Sequence, residues 1–233
     1  MRWPWALLLL AACTREVAPP LASPSATPTP TVTARATPTP TPSATPSPAA
    51  SPTQARLTYA FPVAGCRVTY ARSHHDYPAT DILARTGCAY VSPVRGRVDE
   101  VTYVDHWTSG TNRGADRGGL SVSIVGADGV RYYGSHLSRI APGIRPGVTV
   151  EAGTRLGDVG TTGSARGTSP HLHFGISWPT ARRDVWWVRR GVVPPAPYLD
   201  AWRAGRAASP AVEVARARRA AGAEVPPCES YCR

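Results

Sequence analysis

The sequence predicts an all-β fold of mostly antiparallel strands between residues 57 and 177. Three observations support this prediction. Leu120–Val125 alternates apolar and polar side chains with period two, Asp128-Gly129 is a strong hairpin signal, and Val130–Tyr133 reads as the return strand. No long segment with helical periodicity interrupts this part of the chain, so the strands are expected to build one small antiparallel domain.

Further strands are predicted on both sides of this hairpin. One runs through Val91–Val104 and bends at Gly96, and the last, His171–Ser177, follows a glycine-rich loop at Gly160–Gly167. The polar stretch Asp105–Gly119 is predicted to be a long surface loop. Loops of this length on a rigid sheet often border a binding groove.

The first twelve residues are predicted to be an export signal. A basic residue, Arg2, precedes the short apolar run Ala6–Leu10, which is too short to span a bilayer. The small residues before Cys13 resemble the lipobox of bacterial lipoproteins, in which the signal is cut before the cysteine and the thiol is acylated. That resemblance implies lipid anchoring to the outer face of the bacterial cell membrane, facing the cell wall. The alternative is a plain signal peptide in which Cys13 is incidental.

Residues 13–56 are expected to form a disordered stalk that begins with the lipidated cysteine. Between residues 14 and 55 the chain is almost entirely Ala, Pro, Ser and Thr, which is too little apolar surface to offset the entropy cost of ordering. Its proline content favours extended, semi-rigid chain. Residues 57–200 are then assigned to the folded domain, and residues 201–233 to a helical tail, with a helix at 211–222 and a terminal disulfide.

The net charge is +11, and all 26 basic residues are Arg. Guanidinium groups pair with carboxylates and phosphates, so this charge suits an anionic wall polymer or a membrane surface. It is no specific sign of nucleic acid, and no nucleic-acid partner is expected.

Four cysteines follow Cys13, and an even number in an exported chain indicates disulfides, with three connectivities open. The preferred pairing is Cys66–Cys88 together with Cys228–Cys232. Metal binding by the last two is the alternative.

Histidines and an aspartate form three groups that point to metal chemistry. His171 and His173 lie two apart on a predicted strand, so their side chains share one face. Upstream, His74, His75 and Asp81 offer imidazole and carboxylate ligands, and a third element, "YGSHLS", contains His136. Two nitrogens and one oxygen with an open fourth position suit catalytic Zn²⁺.

In this order the groups resemble the lysostaphin- and LytM-type zinc endopeptidases, which cut peptides of bacterial cell walls. The matching pieces are the His…Asp segment, "PVRGRV", "YGSHLS", and the closing "GTTGSARGTSPHLHFGIS". The resemblance covers about residues 57–177. It implies a small antiparallel β-sheet domain with a long groove and a Zn²⁺ at its floor.

The resemblance also implies roles for particular residues. Asp81 and His173 would be zinc ligands, and His136 and His171 would orient and deprotonate water and stabilise the oxyanion. The usual family segment places the ligand His four residues before the Asp. Here Asp81 lies six residues after His75 and seven after His74, so the third ligand is left open, with His75 preferred because it needs the smaller insertion.

The function predicted from these observations is a zinc-dependent metalloendopeptidase that hydrolyses peptide bonds of peptidoglycan stem peptides or cross-bridges, acting as a monomer. Two other hypotheses remain open. One is a non-catalytic relative on the same fold that binds the wall or activates an amidase. The other is an Arg-rich module that binds polyanions through charge alone.

Overall fold

The structure is a computed structural model, and it describes residues 56–228. The predicted signal, Cys13, nearly all of the predicted stalk and Cys232 lie outside these residues, so what the sequence predicts for them stays a prediction. The strands are β1 (Val63–Ala64), β2 (Thr69–Tyr70), β3 (Ala79–Leu83), β4 (Ala89–Val91), β5 (Gly96–Thr102), β6 (Ser121–Gly126), β7 (Arg131–Ser135), β8 (Leu137–Ile140), β9 (Thr149–Val150), β10 (Arg155–Val159) and β11 (His171–Ser177). The helices are α1 (Trp186–Arg190), α2 (Ala196–Arg203) and α3 (Ala211–Ala221).

The strands form two sheets in which every pairing is antiparallel. The larger has the order β2-β3-β11-β7-β6-β5-β9, and the smaller has the order β1-β4-β10-β8. The predicted hairpin is present as β6 and β7, and the predicted last strand is β11. The all-β, antiparallel fold class is therefore confirmed. Of the described helices, none is long and apolar enough to cross a membrane.

Side chains from both sheets form one apolar core. Tyr90 of the smaller sheet and Ile124, Leu172 and Phe174 of the larger sheet are each 0% exposed. Burying a side chain of this size contributes about 1.5–3 kcal/mol relative to exposure. Strict alternation puts Leu172 on the core face of β11 and its two histidine neighbours on the other face. The core therefore determines the direction in which the histidines point.

The helices α1 and α2 were not predicted, because five and eight residues carry too little periodicity to be recognised. Helix α1 packs closely on β11. A Cβ atom at Gly175 would lie 1.5 Å from the carbonyl oxygen of Arg190, so only glycine allows the two backbones to approach this far. Two basic residues flank this contact. Arg131, which is 1% exposed, pairs with Asp99 at 2.6 Å, and Arg189 of α1 pairs with Glu100.

The C-terminal tail packs against the domain. The predicted boundary at residue 200 falls inside α2, and Trp202 just beyond it stacks on Tyr59 with ring centroids 5.5 Å apart. The predicted helix at 211–222 is present as α3, and its Val214 joins the core. Helix α2 and the tail therefore complete the core rather than extending from it.

One of the two predicted disulfides is confirmed. Cys66 is bonded to Cys88 and links the chain before β2 to the chain before β4. Cys228 is also disulfide-bonded, but its predicted partner Cys232 lies outside the described residues, so that pairing remains a prediction.

Candidate metal centre

The pairing of β3 with β11 brings an aspartate and a histidine together from positions far apart in sequence. His173 lies directly opposite Asp81 in the antiparallel register, so both side chains leave the same face of the sheet. The His173 Nδ1 atom is 2.8 Å from Asp81 Oδ1. Two of the predicted zinc ligands are thus in contact.

The third member of the group is His74, from the loop that precedes β3. Its Nε2 atom lies 3.9 Å from Asp81 Oδ2, and one donor atom from each of His74, Asp81 and His173 lies within 4.8 Å of the others. Two imidazoles and one carboxylate are a donor set that suits Zn²⁺ and leaves a fourth position open. The residues present therefore fit the metal that the sequence predicts.

The preferred third ligand from the sequence, His75, lies elsewhere. Its side chain is 72% exposed, and its Nε2 atom faces Asp76 Oδ2 at 3.3 Å. The His74 side chain is only 8% exposed and faces Asp81. The structure thus gathers the alternative residue, His74, with Asp81 and His173. The physical reason is that the loop path, rather than the shorter sequence gap, decides which imidazole faces the carboxylate.

The protonation states of this group suit metal binding. Burial, together with the neighbouring His173, lowers the pKa of His74 to about 4, so His74 is neutral near pH 7. Burial by itself raises the pKa of Asp81, but the hydrogen bond from His173 and the nearby histidines outweigh it and hold the carboxyl well below its usual range. A neutral imidazole and an ionised carboxylate are the forms that bind a cation.

His136 and His171 lie together beside this group. Their ring centroids are 4.9 Å apart, and His136 is 6.0 Å from His173 by the same measure. The His136 Nδ1–H donates to the carbonyl of Thr162 at 2.8 Å, and the His171 Nδ1–H donates to that of Ser169 at 2.8 Å. A carbonyl can only accept, so in the neutral ring each Nε2 carries the lone pair. Both histidines are therefore able to accept a proton.

Burial, with His173 and His171 nearby, lowers the pKa of His136 well below its usual value. The backbone at His136 is also unusual, with a positive φ of 64°. A left-handed residue of this kind is uncommon outside glycine, and such residues concentrate at functional sites. The conformation turns the chain between β7 and β8, and its amide donates to Gly118 O at 2.9 Å.

Two loops form one wall of the site. Asp105, at the start of the predicted loop, accepts a hydrogen bond from the Gly163 amide at 2.8 Å and pairs with Arg166 at 2.6 Å. A Cβ atom at Gly163 would lie 2.2 Å from Arg117 O, and its φ is +65°, so glycine is required at this contact. The loop 105–119 therefore borders the site, as the sequence predicts.

A pocket of about 350 Å³ contains all the histidines of the site and Asp81. Several other residues that line the pocket were not among the predicted site residues, and Tyr77, Trp186 and Arg190 are three of them. The Arg190 guanidinium donates to the carbonyls of Gly114 and Ala115 at 2.8 and 2.7 Å, which ties α1 to the loop 105–119. Tyr77 stands four residues before Asp81, at the position where the family places its ligand histidine. This position in the sequence could have identified Tyr77 as a site residue.

The metal-free protein is expected to lose stability as pH falls from about 6.5 to about 4. In this range the unfolded chain takes up a proton at His74, whereas the folded chain resists it because the folded pKa is lowered to about 4. The contribution is about 1–2 kcal/mol, since solvent screens a partly exposed group. Urea unfolding at pH 7 and pH 4.5 measures it. His74→Asn should reduce the pH dependence and His75→Asn should keep it, and equal slopes in all three proteins would contradict the assignment.

An antiparallel β domain with these histidines and an aspartate in one pocket is the arrangement expected of the class of peptidases that the sequence resembles. Residues 75–185 match the family model described as peptidase family M23. This confirms the resemblance to the lysostaphin- and LytM-type enzymes.

The chain is also similar to individual proteins of known description. The chain is 32% identical over 131 residues to the L-Ala–D-Glu endopeptidase of Bacillus subtilis (strain 168), which is 54% of this chain and 35% of that protein. The catalytic domain of lysostaphin from Staphylococcus simulans is 22% identical with a TM-score of 0.44, over 57% of this chain and 92% of that one. A putative glycyl-glycine endopeptidase lytM from Ruminococcus gnavus is 24% identical with a TM-score of 0.47, over 64% of this chain and 62% of that one. The chain spans about a third of the length of the Bacillus relative.

Proposed function

We propose that this protein is a zinc-dependent endopeptidase that hydrolyses peptide bonds in bacterial peptidoglycan. The observation that carries the proposal is the convergence of His74, Asp81 and His173 as a three-ligand group, with His136 and His171 beside it in one pocket. All of these side chains are chemically competent for their roles, which favours an enzyme over a non-catalytic scaffold on the same fold.

His74, Asp81 and His173 would hold the zinc ion. Bound there, zinc would act as a Lewis acid that polarises the peptide carbonyl and activates water for attack. The carboxylate of Asp81 would balance part of the charge of the cation, and the imidazoles of His74 and His173 would complete the set. The low pKa values of His74 and Asp81 keep these two groups in their binding forms near neutral pH.

His136 and His171 would move the protons. Each has its Nδ1–H held by a backbone carbonyl, so its Nε2 lone pair can take a proton from the attacking water. Once protonated, the same ring can donate to the oxyanion of the tetrahedral intermediate or protonate the leaving amine. Two histidines 4.9 Å apart allow one to act as base while the other stabilises the oxyanion.

The substrate class is proposed from the family and from the relative named as an L-Ala–D-Glu endopeptidase. Peptidoglycan stem peptides and cross-bridges are both candidates. Arg117 also lines the pocket, and a guanidinium group can pair with the carboxylates that such peptides carry. We further propose export, a lipid anchor on Cys13 and a monomeric enzyme that faces the cell wall, with the stalk providing reach.

Purified protein incubated with peptidoglycan sacculi tests the proposal. Release of soluble peptides is expected with zinc at about one equivalent, and loss of release is expected after removal of the metal by a chelator, with recovery on adding zinc. Asp81→Asn serves as the matched inactive variant, because it removes the ligand charge with almost no change of volume. Mass spectrometry of the products identifies the bond that is cut.

No release of peptides from any sacculus preparation at any zinc level, by a folded protein, would reject the enzymatic proposal. A protein that binds sacculi without cleavage and without stoichiometric zinc would instead support the wall-binding scaffold.

A further inference from the structure

Tyr77 contacts the candidate metal centre but is neither one of the three candidate ligands nor one of the two histidines proposed to transfer protons. It lies in the loop between His74 and Asp81, and its hydroxyl oxygen is 3.2 Å from His173 Nε2. Its ring also contacts that of His74, with centroids 5.0 Å apart. One side chain thus contacts both imidazoles of the ligand group.

The two nitrogens of His173 face different partners. Nδ1 faces Asp81 Oδ1 at 2.8 Å, inside the ligand group, and Nε2 faces Tyr77. A neutral imidazole has one N–H and one lone pair, so Nδ1 can bind a cation only when Nε2 carries the proton. The nearby Asp81 carboxylate favours the opposite form in the metal-free protein, because it accepts a hydrogen bond from Nδ1–H.

A hydroxyl group can serve both forms of His173. In the metal-free form Tyr77 O–H donates to the Nε2 lone pair, and in the metal-binding form the same oxygen accepts from Nε2–H. A tyrosine hydroxyl has an ordinary pKa of about 10 and so carries its proton at neutral pH, which gives it both capacities. A phenylalanine at this position could do neither.

Helix α1 holds Tyr77 in place. The Tyr77 ring meets that of Trp186 edge to face, with centroids 6.1 Å apart, and Arg190 lies 4.8 Å from the same indole. Arg190 in turn is bound to the loop 105–119. Since α1 begins at Trp186, just after the segment that matches the M23 family, the support for the ligand comes from outside that segment.

We propose that Tyr77 is a positioning residue for His173: its hydroxyl accepts the Nε2–H of the ring, and so orients the ring with the Nδ1 lone pair toward the zinc position. The inference rests on the proposed zinc site. It assigns a role to Tyr77. This residue lies between His74 and Asp81, where this chain has more residues than the usual family segment.

The test is the zinc affinity of Tyr77→Phe, measured by competition with a chromophoric chelator. The loss of a hydrogen-bond partner behind a metal ligand typically costs about 10–100-fold in affinity, and this range is expected here. Tyr70→Phe is the matched control, because it also removes one hydroxyl from a partly buried tyrosine, bonded to Asp200 at 2.6 Å. It should bind zinc as the wild type does.

A second measurement can be made on the wild-type protein alone, and the variant serves as its comparison. In zinc-loaded wild-type protein labelled with nitrogen-15, the His173 Nε2–H proton should be visible by NMR and protected from exchange with water, and in Tyr77→Phe that protection should be lost.

Wild-type zinc affinity in a folded Tyr77→Phe variant would overturn the inference and leave the proposed function standing. An exchanging Nε2–H proton in the zinc-loaded wild type would overturn it even if the variant did not fold. A wild-type protein that binds no zinc would overturn both the inference and the function on which it rests.

Discussion

Replacing His74 with alanine is expected to abolish stoichiometric zinc binding and peptidase activity. His74 is the only one of the adjacent pair that faces Asp81, with its Nε2 atom 3.9 Å from Oδ2. A site with two ligands left holds zinc weakly. Loss of the metal removes several kcal/mol of transition-state stabilisation, so activity should fall by about 10³-fold or more.

His75→Ala is the matched comparison for this prediction. Its side chain is 72% exposed and paired with Asp76, so zinc content and cleavage of sacculi should stay close to wild type. Zinc content by atomic emission and peptide release from sacculi give the two readouts. The reverse pattern, with His75→Ala metal-free and His74→Ala active, would contradict the geometry. The family match begins at residue 75 and therefore includes His75 but not His74. The experiment thus tests a ligand that the structure indicates and the family match does not cover.

Replacing His136 or His171 with alanine is expected to lower kcat by about 10²–10⁴-fold while zinc stays bound, the range usual for a general acid or base. Neither residue is in the three-ligand group, and both have Nδ1 committed to a backbone carbonyl. The expected signature is therefore full zinc content with little turnover, which separates these variants from His74→Ala. Zinc content and steady-state rates on a soluble stem peptide measure it.

His106→Ala is the control for this pair, since His106 is exposed in the loop 105–119 and does not line the pocket. It should retain both zinc and activity. If His136→Ala and His171→Ala cleave at the wild-type rate, the proposal that these histidines transfer protons is wrong. Should they lose zinc, they would belong to the ligand set instead.

Several features of the fold follow from local patterns and were predictable. Period-two alternation and the Asp128-Gly129 turn predict the β6–β7 hairpin, and the same alternation places His171 and His173 on one face of β11. The pairing of Cys66 with Cys88 was the preferred one of the open connectivities. Short helices escaped prediction, because α1 has five residues, and its stability comes from packing on β11 and β7.

The residue types and their spacing define the chemistry that this protein has available: two imidazoles on one strand face, an upstream pair of histidines with an aspartate, and a fifth histidine at a strand end. Only the tertiary structure decided which of them meet. His173 faces Asp81 because β3 and β11 are neighbours in the sheet, although the residues are 92 positions apart. His74 faces that carboxylate because of the path of the loop before β3. A loop path leaves no repeating pattern in the sequence, because it depends on contacts with distant elements such as α1. Counting residues back from Asp81 favoured His75, whereas packing directs His74 toward the carboxylate.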